Sequence, residues 1–127
     1  MTDWNMVAGW SGMLLGLFAG GAIGLFFHQE SFAGGYGSFR RRLMRLGHVA
    51  FFGLGILNVL FALTLNLTGA ELRYPALASF SLIAGAALMP LVCFLSAWKT
   101  PFRHLFAIPV VCVAISIILL TEGLVKL

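Results

Sequence analysis

The chain has 127 residues, of which 61% are hydrophobic and only 9% are charged, whereas roughly 25% of the residues in a soluble domain are charged. A soluble domain of this length could not bury so large an apolar fraction, so the composition excludes one and indicates a membrane protein. The basic residues, which give a net charge of +4, cluster between apolar segments. Anionic lipid headgroups account for such clusters, and no nucleic acid partner is expected.

Four apolar runs cover most of the chain, and each approaches the roughly 20 residues that cross a bilayer core. They are residues 4–27, 46–66, 76–97 and 105–124. The first run is longer than the apolar part of a signal peptide and follows no basic segment, so we expect a permanent span. Because short connections favour antiparallel neighbours, the sequence predicts an all-α integral membrane protein. Its single membrane domain, residues 1–127, would hold four transmembrane helices in an up-down-up-down antiparallel bundle.

The distribution of basic residues predicts the orientation of this bundle. Six of the eight lie in the first and third connections, and an excess of Lys and Arg marks cytoplasmic connections. We therefore expect residues 28–45 to form a basic cytoplasmic connection and both termini to lie on the non-cytoplasmic side of an inner or plasma membrane. Ser38 is expected to cap a helix that runs to Leu67. The side chains expected to contact lipid headgroups are Arg40, Arg41, Arg42 and Arg45.

The first run contains a row of glycines at intervals of three or four residues. At 100° per residue these glycines cover only about 120° of the helix surface. A strip without side chains lets another helix approach closely inside lipid. We predict a packing interface, formed most simply with other helices of the same chain; a second subunit and lipid are the alternatives. The row consists of Gly9, Gly12, Gly16, Gly20 and Gly24.

Few residues offer chemistry inside the runs. No Asp, Glu, Lys or Arg lies in the middle of a run, and the sequence contains no Ser-His-Asp pattern, no phosphate-binding loop and no Cys/His metal spacing. No catalytic residue and no metal site are therefore predicted. The chain is not expected to be an enzyme, except as an electron-transfer subunit.

Three histidines are the main candidates for a cofactor site. His28, His48 and His104 all fall near the expected cytoplasmic edge. Two imidazoles from different helices can take both axial positions of a haem iron, so a b-type haem is one hypothesis, with His48 and His104 as ligands and His28 as the substitute. Ordinary interfacial or packing histidines are the favoured alternative, and contact with a quinone or lipid headgroup is a third.

Polar residues inside the second and third runs predict hydrogen bonds between helices. Asn58 and Asn66 are the intramembrane asparagines, and Ser79, Ser81 and Ser96 lie in the third run. We expect Asn58 to bond a backbone carbonyl of a neighbouring helix, such as the one that Pro90 leaves free. A pore-lining role is the alternative for Asn58. Pro90 and Pro109 are both expected to mark kinks.

These patterns favour a small multi-pass subunit that packs into a larger membrane complex through the glycine row. The larger complex could be a respiratory or other electron-transfer complex, and the chain would then hold haem b near the cytoplasmic edge. The alternative is a small homo-oligomeric channel or transporter. The expected partners are the lipid bilayer and either other membrane protein subunits or a second copy of the chain.

Overall fold

The computed structural model describes residues 2–127, which form helices and connections and contain no β-strand. The four long helices are α1 (Thr2–Phe26), α2 (Phe39–Thr68), α3 (Pro75–Trp98) and α4 (Ala107–Val125). Short 3₁₀ helices occupy Phe32–Gly34 and Thr100–Phe106, and the second of these leads directly into α4. All four long helical segments have the length and apolar composition needed to cross a membrane. The predicted number of apolar helices is therefore confirmed.

The ends of α2 are set by two short-range features. Ser38 has an extended backbone, and its side-chain oxygen accepts a hydrogen bond from the Arg41 backbone N–H at 3.1 Å. This is the arrangement of a helix N-cap, as predicted. At the other end Gly69 adopts a left-handed conformation (φ 68°), and its N–H donates to the Leu65 carbonyl at 3.0 Å. Glycine takes this conformation without strain, so it ends the helix after Thr68.

Prolines mark helix starts as well as a helix interior. Pro75 is the first residue of α3, where its missing N–H has no intrahelical acceptor to lose. Pro109 is the third residue of α4 and is tolerated for the same reason. The kink expected at Pro109 presupposed a proline in the helix interior. Because α4 begins two residues before Pro109, the proline removes no hydrogen bond of this helix. Pro90 lies inside α3.

The helices pack in chain order, α1 on α2, α2 on α3 and α3 on α4, with a smaller contact between α1 and α3. Glycines allow the close approaches. A Cβ atom on Gly85 of α3 would lie 2.5 Å from Val113 Cγ2 of α4, and one on Gly47 of α2 would lie 3.0 Å from Cys93 Cβ of α3. Small residues bring membrane helices together in this way.

The apolar core lies between α2, α3 and α4 and is built around Phe61, Ala78 and Leu82. The two outer helices contribute little buried surface. Helix α1 buries only four residues and α4 only three among those described: Asn5, Gly9, Gly16 and Ile23 in α1, and Pro109, Ser116 and Gly123 in α4. The remaining faces of α1 and α4 are largely apolar and are not covered by the rest of residues 2–127.

Candidate functional site

The glycine row of α1 lies against α2. A Cβ on Gly9 would lie 2.6 Å from the Gly55 carbonyl oxygen of α2, and a Cβ on Gly20 would overlap the His48 ring. The contacts thus move toward earlier residues of α2 as α1 proceeds. At the fifth glycine, Gly24, an added Cβ would have no atom of another described residue within 4 Å. Packing within the chain therefore uses most of the row and leaves its last position open.

The intervening glycines complete this interface. A Cβ on Gly16 would lie 2.8 Å from the Phe52 ring, whereas one on Gly12 would make only ordinary contact, 3.7 Å from the Phe51 carbonyl oxygen. Gly9 and Gly16 are therefore buried against α2, whereas Gly12 still lines a cavity of about 140 Å³ on the α1 surface. Packing within the same chain, the favoured prediction for this row, accounts for Gly9, Gly16 and Gly20.

A cluster of three buried polar side chains joins α1, α2 and α3 near the start of α1. The Asn5 side-chain amide donates to Asn58 Oδ1 at 2.8 Å, and Ser79 Oγ donates to Asn5 Oδ1 at 2.5 Å. The Asn5 amide also reaches the Ser79 carbonyl oxygen at 3.4 Å. None of the three side chains is more than 2% exposed. Each polar group therefore finds a partner inside the protein, as buried polar groups require.

The partner of Asn58 differs from the prediction. Its Nδ2 donates to the Leu54 carbonyl of the same helix at 2.9 Å, and its Oδ1 accepts from Asn5. The carbonyl that it binds thus belongs to α2 and not to a neighbouring helix, so that expectation is wrong. Sequence reasoning missed Asn5, although its position four residues before Gly9 places it on the glycine row. That register is the signal that could have found it.

The other expected intramembrane polar residues lie outside this cluster. Asn66 is exposed near the end of α2. Ser81 donates to the Ala78 carbonyl of its own helix at 3.2 Å. Two serine hydroxyls, Ser96 Oγ and Ser116 Oγ, are buried without a hydrogen-bond partner among the described residues. Ser116 lines a small cavity of about 70 Å³ between α2, α3 and α4.

Arg41 is enclosed by the connection between α1 and α2. Its side chain is 1% exposed, and its guanidinium donates to the carbonyl oxygens of Phe27 and Gln29. It also lies 3.8 Å from the centroid of the Tyr36 ring and 4.4 Å from that of Phe27. Both aromatic faces attract the cation. The sequence-based assignment of Arg41 to lipid headgroups is therefore corrected, because the side chain is out of reach.

The backbone of the connection produces this enclosure. Ala33, Gly34 and Gly35 have positive φ values of 53°, 87° and 95°, which turn the chain back toward α2. Ser38 Oγ donates to the Ala33 carbonyl at 2.6 Å, so the residue that caps α2 also fixes the turn. Glycine tolerates positive φ, whereas Ala33 is held in this conformation by the surrounding contacts.

The remaining arginines of the predicted first connection, which the structure places in the first two turns of α2, differ in their partners. Arg40 donates to the Trp98 carbonyl oxygen at 3.5 Å, and Arg42 donates to the Gly37 carbonyl oxygen at 3.0 Å. Arg45 is exposed, and it has no hydrogen-bond partner and no ion pair among residues 2–127, where the only salt bridge joins Lys126 to Glu122. Arg45 is therefore the one arginine of this connection whose charge is not used within that part of the chain.

Arg45 lies beside a cavity between the end of α1 and the start of α2. The cavity has a volume of about 320 Å³, which is at the lower end of the range for small-molecule sites. Its walls are apolar apart from Arg45 and His48, and Gly24 forms the open part of the α1 wall. The lining residues are Gly20, Ile23, Gly24, Phe27, Arg45, His48 and Val49.

His48 is fixed at the back of this cavity. Its Nδ1 donates to the Gly16 carbonyl oxygen at 2.9 Å, and the ring meets the edge of Phe52 at 5.4 Å between centroids. A carbonyl only accepts, so the hydrogen is assigned to Nδ1, and Nε2 of the neutral ring carries a lone pair. The ring packs across Gly20, where any side chain would displace it.

The structure does not bring the expected haem ligands together. His104 is exposed in the 3₁₀ helix that packs on α3, and His28 is exposed beyond the end of α1. His48 is the single histidine among the described residues that line its cavity. Among residues 2–127 no group of three His, Cys, Asp or Glu side chains could hold a metal ion. The cavity at His48 thus offers one imidazole, whereas the predicted haem would need two.

The two ends of the α1–α2 interface offer different chemistry. At one end the polar side chains bind each other, and at the other end a cation and an imidazole line an apolar cavity.

Comparison of the chain with protein-family models, with curated proteins and with solved structures finds no match.

Proposed function

We propose that this chain is an integral membrane protein that serves as a structural subunit of a larger membrane complex. Its helices span the bilayer in an up-down-up-down order, with the connections at 27–38 and 99–106 in the cytoplasm and the start of α1 on the other side. The apolar length of all four helices supports this placement. The six basic residues in and beside those connections support the orientation, because cytoplasmic connections carry an excess of Lys and Arg.

The observation that carries the structural role is the cluster of Asn5, Asn58 and Ser79. These side chains are buried and bind each other, so they hold three helices together and present no polar surface to a conduction path. A transporter needs polar or ionisable groups that face a cavity. The polar groups at this depth are used for cohesion instead, which favours a packing subunit over the channel alternative.

A partner protein would have to contact the outward faces of α1 and α4. Gly9, Gly16 and Gly20 of the glycine row pack against α2, whereas large apolar side chains such as Phe18 of α1 and Ile118 of α4 are 69% and 65% exposed. In a bilayer such faces contact lipid or another helix by dispersion forces. The proposed subunit contact therefore lies on one of these two faces.

The first experiment tests membrane placement and orientation. In a Cys93→Ala/Cys112→Ala background, a single cysteine is placed at Ser31 or at Glu71, both of which are exposed. A membrane-impermeant maleimide should label the Ser31→Cys variant only in inverted vesicles and the Glu71→Cys variant only in intact cells. Release of the chain by alkaline carbonate, or labelling of both positions from the same side, would contradict the proposal.

The second experiment tests the subunit role. A photo-crosslinking amino acid replaces Phe18 or Ile118 at native expression level, and buried Phe61 serves as the control. We expect a protein adduct of one defined mass from one exposed face and none from Phe61. Adducts with lipid alone from both faces, or ion flux through liposomes that contain only the purified chain, would overturn the structural role and favour a channel.

A further inference from the structure

The cavity beside Arg45 combines a free cation with an apolar wall. Arg40, Arg41 and Arg42 all donate to backbone carbonyls of the chain, whereas Arg45 has no such partner within residues 2–127. A guanidinium next to a low-dielectric surface interacts strongly with a phosphate oxygen because the pair forms charge-assisted hydrogen bonds. Arg45 is thus the arginine of this connection that is available to an anion.

The shape of the cavity indicates a ligand that is larger than a free anion. From Arg45 it continues along α1 past Gly24, whose missing side chain leaves the wall open, to Gly20, where the His48 ring closes it. The apolar groove has a volume of about 320 Å³ in total. Ile23 and Val49 form its sides. A small inorganic ion would leave this groove empty, whereas an acyl chain would fill it by dispersion contacts.

We infer that this cavity binds one anionic phospholipid, with the phosphate on Arg45 and part of an acyl chain in the groove beside Gly20 and Gly24. The site rests on the proposed placement of the chain in a membrane and is independent of any protein partner. Its position agrees with that placement, because Arg45 lies in the second turn of α2, next to the connection that would lie at the level of the headgroups.

The charge of Arg45 sets the choice of lipid for the test. Phosphatidylglycerol carries a net negative charge, and it is the probe; phosphatidylcholine, which has a phosphate but no net charge, is the comparison lipid. A preference for phosphatidylglycerol is expected because Arg45 has no partner among the described residues that would neutralise it.

The variants that test the site are matched in position and chemistry. Gly24→Leu fills the groove, whereas Gly21→Leu adds the same side chain at a position that is equally open and does not line the cavity. Both changes replace glycine in a helix and should not impair folding. Arg45→Gln removes the free cation, and Arg42→Gln removes a neighbouring cation that is already bonded to Gly37.

The experiment is native mass spectrometry of the full chain, purified in detergent and titrated with phosphatidylglycerol or phosphatidylcholine. The wild type, Gly21→Leu and Arg42→Gln should each retain one phosphatidylglycerol in preference to phosphatidylcholine. Arg45→Gln should bind phosphatidylglycerol roughly tenfold more weakly, because it loses one charge-assisted contact. Gly24→Leu should lose the tightly bound lipid, because the new side chain fills the groove.

Three results would overturn the inference. Equal phosphatidylglycerol binding by wild type and Gly24→Leu would show that the groove holds no lipid. Displacement of the lipid by inorganic phosphate at equal concentration would identify a free-anion site. A visible absorption band of haem that disappears in His48→Ala would assign the cavity to haem. Retention of the chain in carbonate-washed membranes accompanies each measurement, so failure of the lipid site is distinguishable from failure of the membrane placement.

Discussion

Near the start of α1, a Cβ on Gly9 would lie 2.6 Å from the Gly55 carbonyl oxygen, whereas one on Gly24, near the end of the same helix, would meet no other described residue within 4 Å. The two ends of the α1–α2 interface also differ in their polar groups. At the start, Asn5 and Asn58 are fully buried and bonded to each other. At the far end, Arg45 is exposed and open to an external group.

This difference shows that one sequence pattern can have two structural meanings. Glycines at regular spacing create a strip without side chains, but the opposing helix decides whether the strip becomes a contact or a groove. Polar groups follow the same logic. Where the helices touch, a polar side chain must find its partner inside the protein, and where they separate, a charge such as that of Arg45 can bind an external group.

The strongest way to break the closed end is Gly9→Leu. The new side chain would meet the Gly55 backbone, which cannot move aside without separating the helices and stretching the Asn5–Asn58 hydrogen bond. Overpacking of this kind should lower the free energy of unfolding by about 3 kcal/mol. The measurement is unfolding of the purified chain by SDS titration in mixed micelles, followed by circular dichroism.

Gly21→Leu is the control for this change, because it adds the same side chain to the same helix at a position open among the described residues. It should leave the free energy of unfolding unchanged or raise it slightly, since leucine favours the helix more than glycine does. Equal stability of Gly9→Leu and Gly21→Leu would mean that α1 and α2 do not approach closely at Gly9.

A smaller effect is expected at the open end from Arg41→Gln, which removes the buried guanidinium from its aromatic enclosure. The loss of charge-assisted bonds to Phe27 and Gln29 should lower the free energy of unfolding by about 2 kcal/mol. The connection should also open, which chymotrypsin would detect as faster cleavage near Phe32 and Tyr36. The control is Arg42→Gln at an exposed position, which should change the free energy of unfolding by less than about 0.5 kcal/mol. If Arg42→Gln accelerates cleavage as much as Arg41→Gln does, the enclosure of Arg41 does not order the connection.

The elements of this fold follow from local patterns that a sequence displays. The apolar runs predict the four helices, and Ser38 predicts the start of α2 because a cap needs only a serine hydroxyl and the next N–H groups. The position of Asn5 on the glycine row is also visible in the sequence. Its bond to Ser79 is not, because nothing local fixes which residue of α3 lies opposite α1.

The candidate site was harder to predict for the same reason. Four arginines in one connection look equivalent in sequence, yet Arg41 is buried and Arg45 is exposed. The distinction depends on the turn at Ala33 and Gly34, which folds the connection over one face of α2. The histidines likewise share an expected depth, but depth along a helix does not determine facing direction, so His48 faces α1 while His104 lies in the 3₁₀ helix beside α3.

The smallest expected effect comes from Asn58→Leu, which tests whether the polar cluster serves cohesion or conduction. Asn5 keeps its bond to Ser79 and loses only the acceptor on α2. Hydrogen bonds between membrane helices average about 0.6 kcal/mol, so the loss in the free energy of unfolding should be of this size. Asn66→Leu, at an exposed position of the same helix, should be neutral. If Asn58→Leu leaves stability unchanged but alters ion flux through liposomes that contain the purified chain, Asn58 lines a path and the structural role is wrong. A loss of stability without flux in either protein instead assigns the buried asparagine to cohesion of α1 and α2.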